Sequence, residues 1–254
     1  RLSLPEYWIL PFANHWLSFK GHIAFGEMTD ERWQHDFTQR KFKYVDGGLY
    51  HSKAGYLKIG NEYAFFPLSI ELGLEMAAEF GGTPYRYVDG EMVQLPTEGV
   101  LKGMLHAFVP GGSDSTDDAY ANVAGNTLGS WVFRTNYNAD RFKAAFYADH
   151  FFEDHSQMFL LDYNGYGEGE QWNTKQKHRY FMYSLKDMMF GAQFDMKYGT
   201  WLRSLVFEYI YTKYQSGPYN HDRTQNIGDH IAGIDDYYNH SIYPGWQHWG
   251  QVMG

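Results

Sequence analysis

No cysteine occurs in the chain, so disulfides, thiolate metal sites and cysteine nucleophiles are excluded. Long apolar runs are missing as well: mean hydropathy is −0.54, and no stretch approaches the roughly 18 consecutive apolar residues that a transmembrane helix needs. That excludes a spanning helix but not a transmembrane β-barrel, whose alternating strands average out in any hydropathy window. Basic residues are in deficit. Lys and Arg number 21 against 30 Asp and Glu, a net charge of −9, which argues against nucleic acid as a partner. The chain has no Walker A motif and no G-x-S-x-G. Gly111-Gly112-Ser113 follows a helical stretch instead of preceding one, so it is no phosphate cradle. No basic start with an apolar core follows Arg1. The expectation is a mature chain or a part of a longer one.

Aromatic residues, by contrast, are abundant. The 22 Tyr, 19 Phe and 8 Trp make up 19% of the chain. Barrels use aromatics as girdles at both membrane interfaces, and carbohydrate sites use them as flat stacking surfaces. The most regular stretch is 66–80. Leu68, Ile70, Leu72, Leu74, Met76, Ala78 and Phe80 fall on one side of a period of two, and Ser69, Glu71, Gly73, Glu75, Ala77 and Glu79 on the other. Thirteen extended residues reach roughly 43 Å, which at a tilt near 45° covers the hydrocarbon thickness of a bilayer, about 30 Å. A helix over the same residues would stack Glu71, Glu75 and Glu79 at i, i+4, where like charges repel. A long strand is expected.

The alternation recurs. Leu17, Phe19, Ile23 and Phe25 oppose Ser18, Lys20 and His22; Trp131, Phe133 and Tyr137 oppose Ser130, Arg134 and Asn136. Phe142, Ala144, Phe146, Ala148 and Phe152 oppose Lys143, Tyr147, Asp149 and Glu153. Met188, Phe190, Ala192, Phe194 and Met196 oppose Asp187, Gln193 and Asp195, while Leu205, Phe207, Tyr209 and Tyr211 oppose Ser204, Glu208 and Thr212. Residues 48–60 are strand-like but poorly partitioned. The polar sides carry charges of both signs, which fits a wet or plugged lumen better than the second face of a sandwich. One segment departs from the rule: Leu101, Met104, Leu105 and Phe108 follow Pro96-Thr97-Glu98 at helical spacing and stop at Pro110. A short helix is expected over 98–109, as a loop element or a plug. Stretches 111–127, 162–173 and 215–236 read as loops.

Several short motifs occur in a fixed order: Trp16-Leu17-Ser18-Phe19-Lys20-Gly21, Leu49-Tyr50-His51-Ser52-Lys53, Asn126-Thr127-Leu128-Gly129-Ser130, Phe151-Phe152-Glu153-Asp154, Thr212-Lys213-Tyr214-Gln215-Ser216-Gly217-Pro218, then Asp235-Asp236-Tyr237-Tyr238-Asn239-His240 and Tyr243-Pro244-Gly245-Trp246. In this order and at this spacing, over nearly all of its length, the chain resembles the capsule assembly (Wzi-type) outer-membrane proteins. The resemblance implies a large outer-membrane β-barrel that attaches or helps assemble capsular polysaccharide, as a surface lectin and not as an enzyme. It also implies a pattern that extends beyond both ends of this chain. Roughly eight or nine strands are countable here, against the order of 16–18 in the barrels so implied.

Four kinds of chemistry are open to such a chain. For glycan binding, Tyr237, Tyr238, Trp246 and Trp249 cluster with Asp235, Asp236 and Asn239; the competing reading is an aromatic girdle with solvated loop acids. Loops at 164–170 and 215–222 are weaker candidates. Glycoside hydrolysis needs two carboxyls roughly 5–9.5 Å apart. Glu153 and Asp154 point to opposite faces of a strand, and Glu71, Glu75 and Glu79 are spaced by about 13 Å, so no local pair works. For metal binding, Asp162, Asn164 and Gly167 mimic the start of an EF-hand loop, but Tyr166 and Asn173 break it. His221 and His230 lack ligand spacing, and Asp114, Asp117 and Asp118 remain a calcium alternative. Nucleophile chemistry has no motif.

The expectation is an all-β, antiparallel, up-and-down outer-membrane barrel, one domain over 1–254, in a Gram-negative envelope. Leu68, Ile70, Leu72, Leu74, Met76, Phe190 and Phe194 should face lipid. Glu71, Glu75, Glu79, Lys143, Asp149, Glu153 and Glu208 should face the lumen. Expected partners are outer-membrane lipid, a surface polysaccharide and other envelope proteins, with no cofactor. The alternatives are a porin for small solutes and a carbohydrate-active enzyme.

Overall fold

The computed structural model describes residues 1–61, 64–97, 99–109, 125–152, 188–199, 201–212 and 245–252, with single positions 170, 174, 240, 242 and 243. Eight strands form one antiparallel sheet: β1 (Leu2–Ile9), β2 (Leu17–Glu27), β4 (Leu49–Gly60), β5 (Leu68–Phe80), β8 (Asn126–Asn138), β9 (Phe142–Phe152), β10 (Met188–Met196) and β11 (Ser204–Tyr211). They are hydrogen-bonded in that order, so the sheet is a meander, open, with β1 and β11 at its edges. Beyond it lie a three-stranded sheet, in which β6 (Thr83–Val88) separates β3 (Tyr44–Asp46) from β7 (Glu91–Gln94), and a hairpin of β12 (Gln247–His248) with β13 (Gln251–Val252). The helices are α1 (Glu31–Thr38) and α2 (Val100–Phe108), with a single 3-10 turn at Pro11–Ala13. Among the described residues no helix is long and apolar enough to cross a membrane.

Register turns the sequence alternation into two faces. Phe19, Leu57, Leu72, Phe133, Ala148, Phe190 and Tyr209 are successive cross-strand partners and form one apolar row across seven strands. The neighbouring row on the opposite face runs Ser18, Lys58, Glu71, Arg134, Tyr147, Gly191 and Glu208. Because side chains alternate along every strand, a slip of one residue would exchange the faces. Leu68, Ile70, Leu72, Leu74, Met76, Phe190 and Phe194 share the apolar face. Glu71, Glu75, Glu79, Lys143, Asp149 and Glu208 share the polar one; Glu153 lies outside the described residues.

The two ends of the sheet are unlike. At one, strands are joined through 10–16, 61–67, 139–141 and 197–203. At the other, the connections are 28–48, 81–125 and 153–187, and these carry both helices and the three-stranded sheet. The long-connection end of β5 is covered on both faces.

On the apolar face the cover is α2. It packs against Ala78 and Phe80 through Ala107 and Met104, and a β-carbon on Gly103 would come 3.3 Å from Phe80 Cδ2. Of the two expectations for this helix, loop element or plug, the plug is corrected: the helix lies on the apolar side and not among the polar-face carboxylates. This also explains why 48–60 partitions poorly. His51 and Lys53 share the apolar face with Leu57 and Ile59, but they sit at the covered end. Lys53 Nζ donates to the carbonyls of Ala107 (3.0 Å) and Phe108, the orphan acceptors at the helix C-terminus. Met76, expected to face lipid, is only 6% exposed, because the alternation sets its side of the sheet but not what lies over that side.

On the polar face the cover is a small cap. Val45, Ile242, Tyr243 and Leu95 form its apolar centre. Asp30, fully buried, ties two segments together: its carboxylate accepts from Gln34 Nε2 (3.1 Å), the Trp249 backbone N–H (3.3 Å) and Gln247 Nε2 (3.5 Å). Gln34 Oε1 in turn accepts the Val45 N–H at 3.0 Å, which docks α1 on β3. His35 Nε2 meets Asp46 Oδ1 at 2.5 Å on the same pair of elements.

Candidate binding face

The polar face carries a hydrogen-bond chain that spans the sheet from edge to edge. Tyr7 on β1 donates its hydroxyl to Glu71 Oε2 on β5 at 2.8 Å. Asn136 on β8 donates to Glu71 Oε1 at 2.9 Å and accepts Arg134 Nε at 2.8 Å. Arg134 Nη2 reaches Gln193 Oε1 on β10 at 3.0 Å. Gln193 Nε2 continues to Asp195 Oδ2 at 2.8 Å, and Ser204 on β11 closes the line with a 2.6 Å bond to Asp195 Oδ1. Lys58 Nζ stands 4.0 Å from Glu71 Oε1. Each charged group in this line has partners, as a partly desolvated face requires.

Two tyrosines lie flat on this face because glycines leave room for them. A β-carbon on Gly73 would come 2.4 Å from Tyr56 Cδ1, and one on Gly191 would come 2.1 Å from Tyr147 Cε2. Gly within a strand commonly marks such a close approach, and an aromatic ring across it restores packing. Tyr56 donates its hydroxyl to Glu75, and Tyr147 donates to Glu208 Oε1 at 2.5 Å. Cations sit over the rings. Lys20 Nζ is 4.6 Å from the Tyr56 centroid and 4.7 Å from that of Tyr7, and the Arg134 guanidinium is 5.1 Å from Tyr147. Asp149 lies within the field of both Glu75 and Glu208. The face therefore offers phenol hydroxyls, cations, amide groups and carboxylates together, the donor–acceptor mixture that polyhydroxylated ligands use. Among the described residues no three His, Asp or Glu side chains converge as a metal site.

The expected lumen carboxylates separate into distinct surroundings. Glu71 is held in the hydrogen-bond chain. Glu75 and Glu208 are exposed and accept tyrosine hydroxyls. Glu79 is buried beneath the cap, where Asn126 Nδ2 donates to it at 3.2 Å. Lys143 is exposed, paired across the strands with Asn138 and Asp195. Of the expected glycan-binding residues, Asp235, Asp236, Tyr237, Tyr238 and Asn239 lie outside the described residues. Trp246 is 2% exposed and has no ring face open to a sugar; it belongs to the packing of the cap. Trp249 is 52% exposed, and its backbone N–H is the group that meets Asp30. Within the cap, burial and then the charge of Glu79 push the Tyr243 hydroxyl above its ordinary range, and that hydroxyl donates to Gly81 O at 3.1 Å. Burial followed by the Asp46 charge raises Tyr44 as well.

Tyr7, Tyr56, Lys20 and Lys58 were not singled out from sequence as site residues. The available signal was Gly73 and Gly191, glycines inside otherwise well-formed strands. Compared with known proteins, the chain matches no family model, no curated protein and no solved structure.

Proposed function

We propose that this chain forms the wall of an outer-membrane β-barrel and binds a capsular or other surface polysaccharide on its polar face, without catalysing a reaction. The observation that carries the reading is the hydrogen-bonded line from Tyr7 to Ser204 on one face, set against bare apolar side chains on the other. Leu72 is 50% exposed and Phe207 67%, and neighbouring Ile70, Leu205 and Ile59 are exposed too. A contiguous apolar surface of this kind is costly in water and costs nothing against lipid. Barrels carry short turns on the periplasmic side and longer loops outside. On this reading the Phe80 end of β5, with α2 and the cap, is the end that faces the cell exterior. A polysaccharide would enter from there, setting its hydroxyls against the Tyr56 and Tyr147 hydroxyls, the Lys20 and Arg134 cations and Glu75, Asp149 and Glu208.

Two measurements test this reading. Alkaline carbonate should leave the protein in the membrane pellet, and detergent should release it. Detergent-purified protein should then bind a surface glycan on an array, with a several-fold loss for the Tyr56→Ala, Tyr147→Ala double variant. Release by carbonate alone, or glycan binding indifferent to both tyrosines, defeats it. One observation favours a second reading, a channel for small solutes: α2 packs on the apolar face and is not itself a plug over the polar one. Steady conductance across a planar bilayer that a bound glycan does not block would select the channel.

A further inference from the structure

The apolar face is interrupted by a groove of about 640 Å³ near the edge of α2. Its origin lies in the register. In the cross-strand row Leu4, Gly21, Gly55, Leu74, two adjacent strands present no side chain. Leu4 and Leu74 wall the slot, Phe19 leans over its floor, and Ile23, Met76 and Phe108 close the end nearest the helix. Phe108 is the last residue of α2, held there by the Lys53 bonds to the helix carbonyls. Lys53 is the one charged group lining the groove, and its ammonium is turned into those carbonyls. We infer that this slot seats one acyl chain of a membrane lipid, clamped by Phe108.

Three observations select that occupant. The slot opens on the same face as the exposed belt of Ile70, Leu72 and Phe207, so lipid chains reach it without crossing a polar barrier. Its walls are mostly hydrocarbon, with Ser3 and His22 at the lining besides Lys53. A peptide lying in it would leave its own N–H and C=O groups unpaired in an apolar setting, at several kcal/mol per group, whereas an acyl chain has none to satisfy. Three strand spacings, about 14 Å, separate β1 from β5 at this row. With leucines on both sides and Phe19 between them, what remains admits an extended chain but not a helix about 10 Å across.

The inference rests on the membrane-barrel reading, and its test separates the two. The full chain is reconstituted into vesicles of phosphatidylethanolamine and phosphatidylglycerol. A trace of phosphatidylethanolamine with a diazirine near the end of one acyl chain is included. After irradiation, labelled peptides are mapped by mass spectrometry. Label should concentrate on Ile23, Leu74, Met76 and Phe108 relative to Leu72 and Phe207. It should fall several-fold at those positions in Gly55→Leu. This substitution fills the slot: a β-carbon at Gly55 meets only the Phe19 ring, at 3.4 Å, and no backbone. Phe108→Ala, which removes the clamp and leaves the sheet intact, should lower it as well. Uniform labelling of the apolar face, or label indifferent to Gly55→Leu, overturns the slot while the barrel stands. Protein that stays in the supernatant, unlabelled, overturns both readings.

Discussion

The two ends of β5 make an instructive comparison. Both carry the same alternation, Leu68-Ser69-Ile70-Glu71 at one and Met76-Ala77-Ala78-Glu79-Phe80 at the other. At the short-turn end the apolar side chains are open and Glu71 sits in an extended polar line. At the long-connection end Ala78, Phe80 and Glu79 are all buried, the first two under α2 and the third under the cap. A period of two fixes which face a residue occupies. It does not fix what covers that face, because the cover comes from connections distant in sequence. If the open end meets lipid and the closed end meets protein, substitutions of similar size should behave differently at the two.

The sharpest contrast should come from Phe80→Ala. Phe80 packs edge-on against Phe25 with ring centroids 6.3 Å apart and touches α2 at Gly103. Emptying that volume should cost about 3–5 kcal/mol and loosen α2, read as a fall in the urea midpoint and as proteolysis within 99–109. Leu72→Lys probes the open end. Facing lipid near the middle of a spanning strand, it should cost about 2–4 kcal/mol of membrane folding; facing water at an exposed site, it should stay within about 0.5 kcal/mol. Refolding into vesicles under urea measures the difference, and a neutral outcome would break the comparison.

How much of this was legible in the sequence follows the same division. Strands β2, β5, β8, β9, β10 and β11 and their faces could be read because most side chains in them obey one local rule, Val132, Met189, Val206 and Ile210 on the polar face being exceptions. The helix at α2 could be read from Leu101, Met104, Leu105 and Phe108, but its side of the sheet could not, since that depends on Lys53 meeting its last carbonyls across 54 positions. Strand β1 was missed: Pro5 interrupts it, and its register with β2 shifts between Leu4 and Trp8. The cap was missed as well. Its key group, Asp30, has partners 4 and 219 positions away, and no periodicity announces such a pairing. The burial of Trp246 was not legible for a related reason: an aromatic beside Gly and Pro reads equally as a sugar platform or as core. The polar-face tyrosines Tyr56 and Tyr147 depend on Gly73 and Gly191, which sit one strand away in space and far off in sequence.

The cap can be tested apart from the sheet. Asp30→Ala removes an acceptor shared by Gln34, Gln247 and the Trp249 N–H, leaving the buried Gln34 amide and two part-buried donors unpaired at about 1–3 kcal/mol. Amide exchange in 245–252 should quicken while the β5–β8 ladder keeps its protection. Quickening of both together would mean that cap and sheet open as one unit, and the contrast between the two ends of β5 would lose its meaning.

The smallest effect should come from Tyr243→Phe, which deletes only the hydroxyl bond to Gly81 O and should cost about 1 kcal/mol at neutral pH. Its value lies in the pH dependence. Burial, then the Glu79 charge, raises the Tyr243 pKa in the folded cap, while in the unfolded chain it ionises near its ordinary value of about 10. The folded state therefore holds this proton when the unfolded state has begun to lose it. The stability linked to the neutral phenol is fully present below about pH 10 and falls as pH rises above that point. Wild-type cap stability should decline from pH 10 upward and that of Tyr243→Phe should decline less, so the two should converge as pH rises. Parallel curves would place the hydroxyl in water and detach this residue from the closed end.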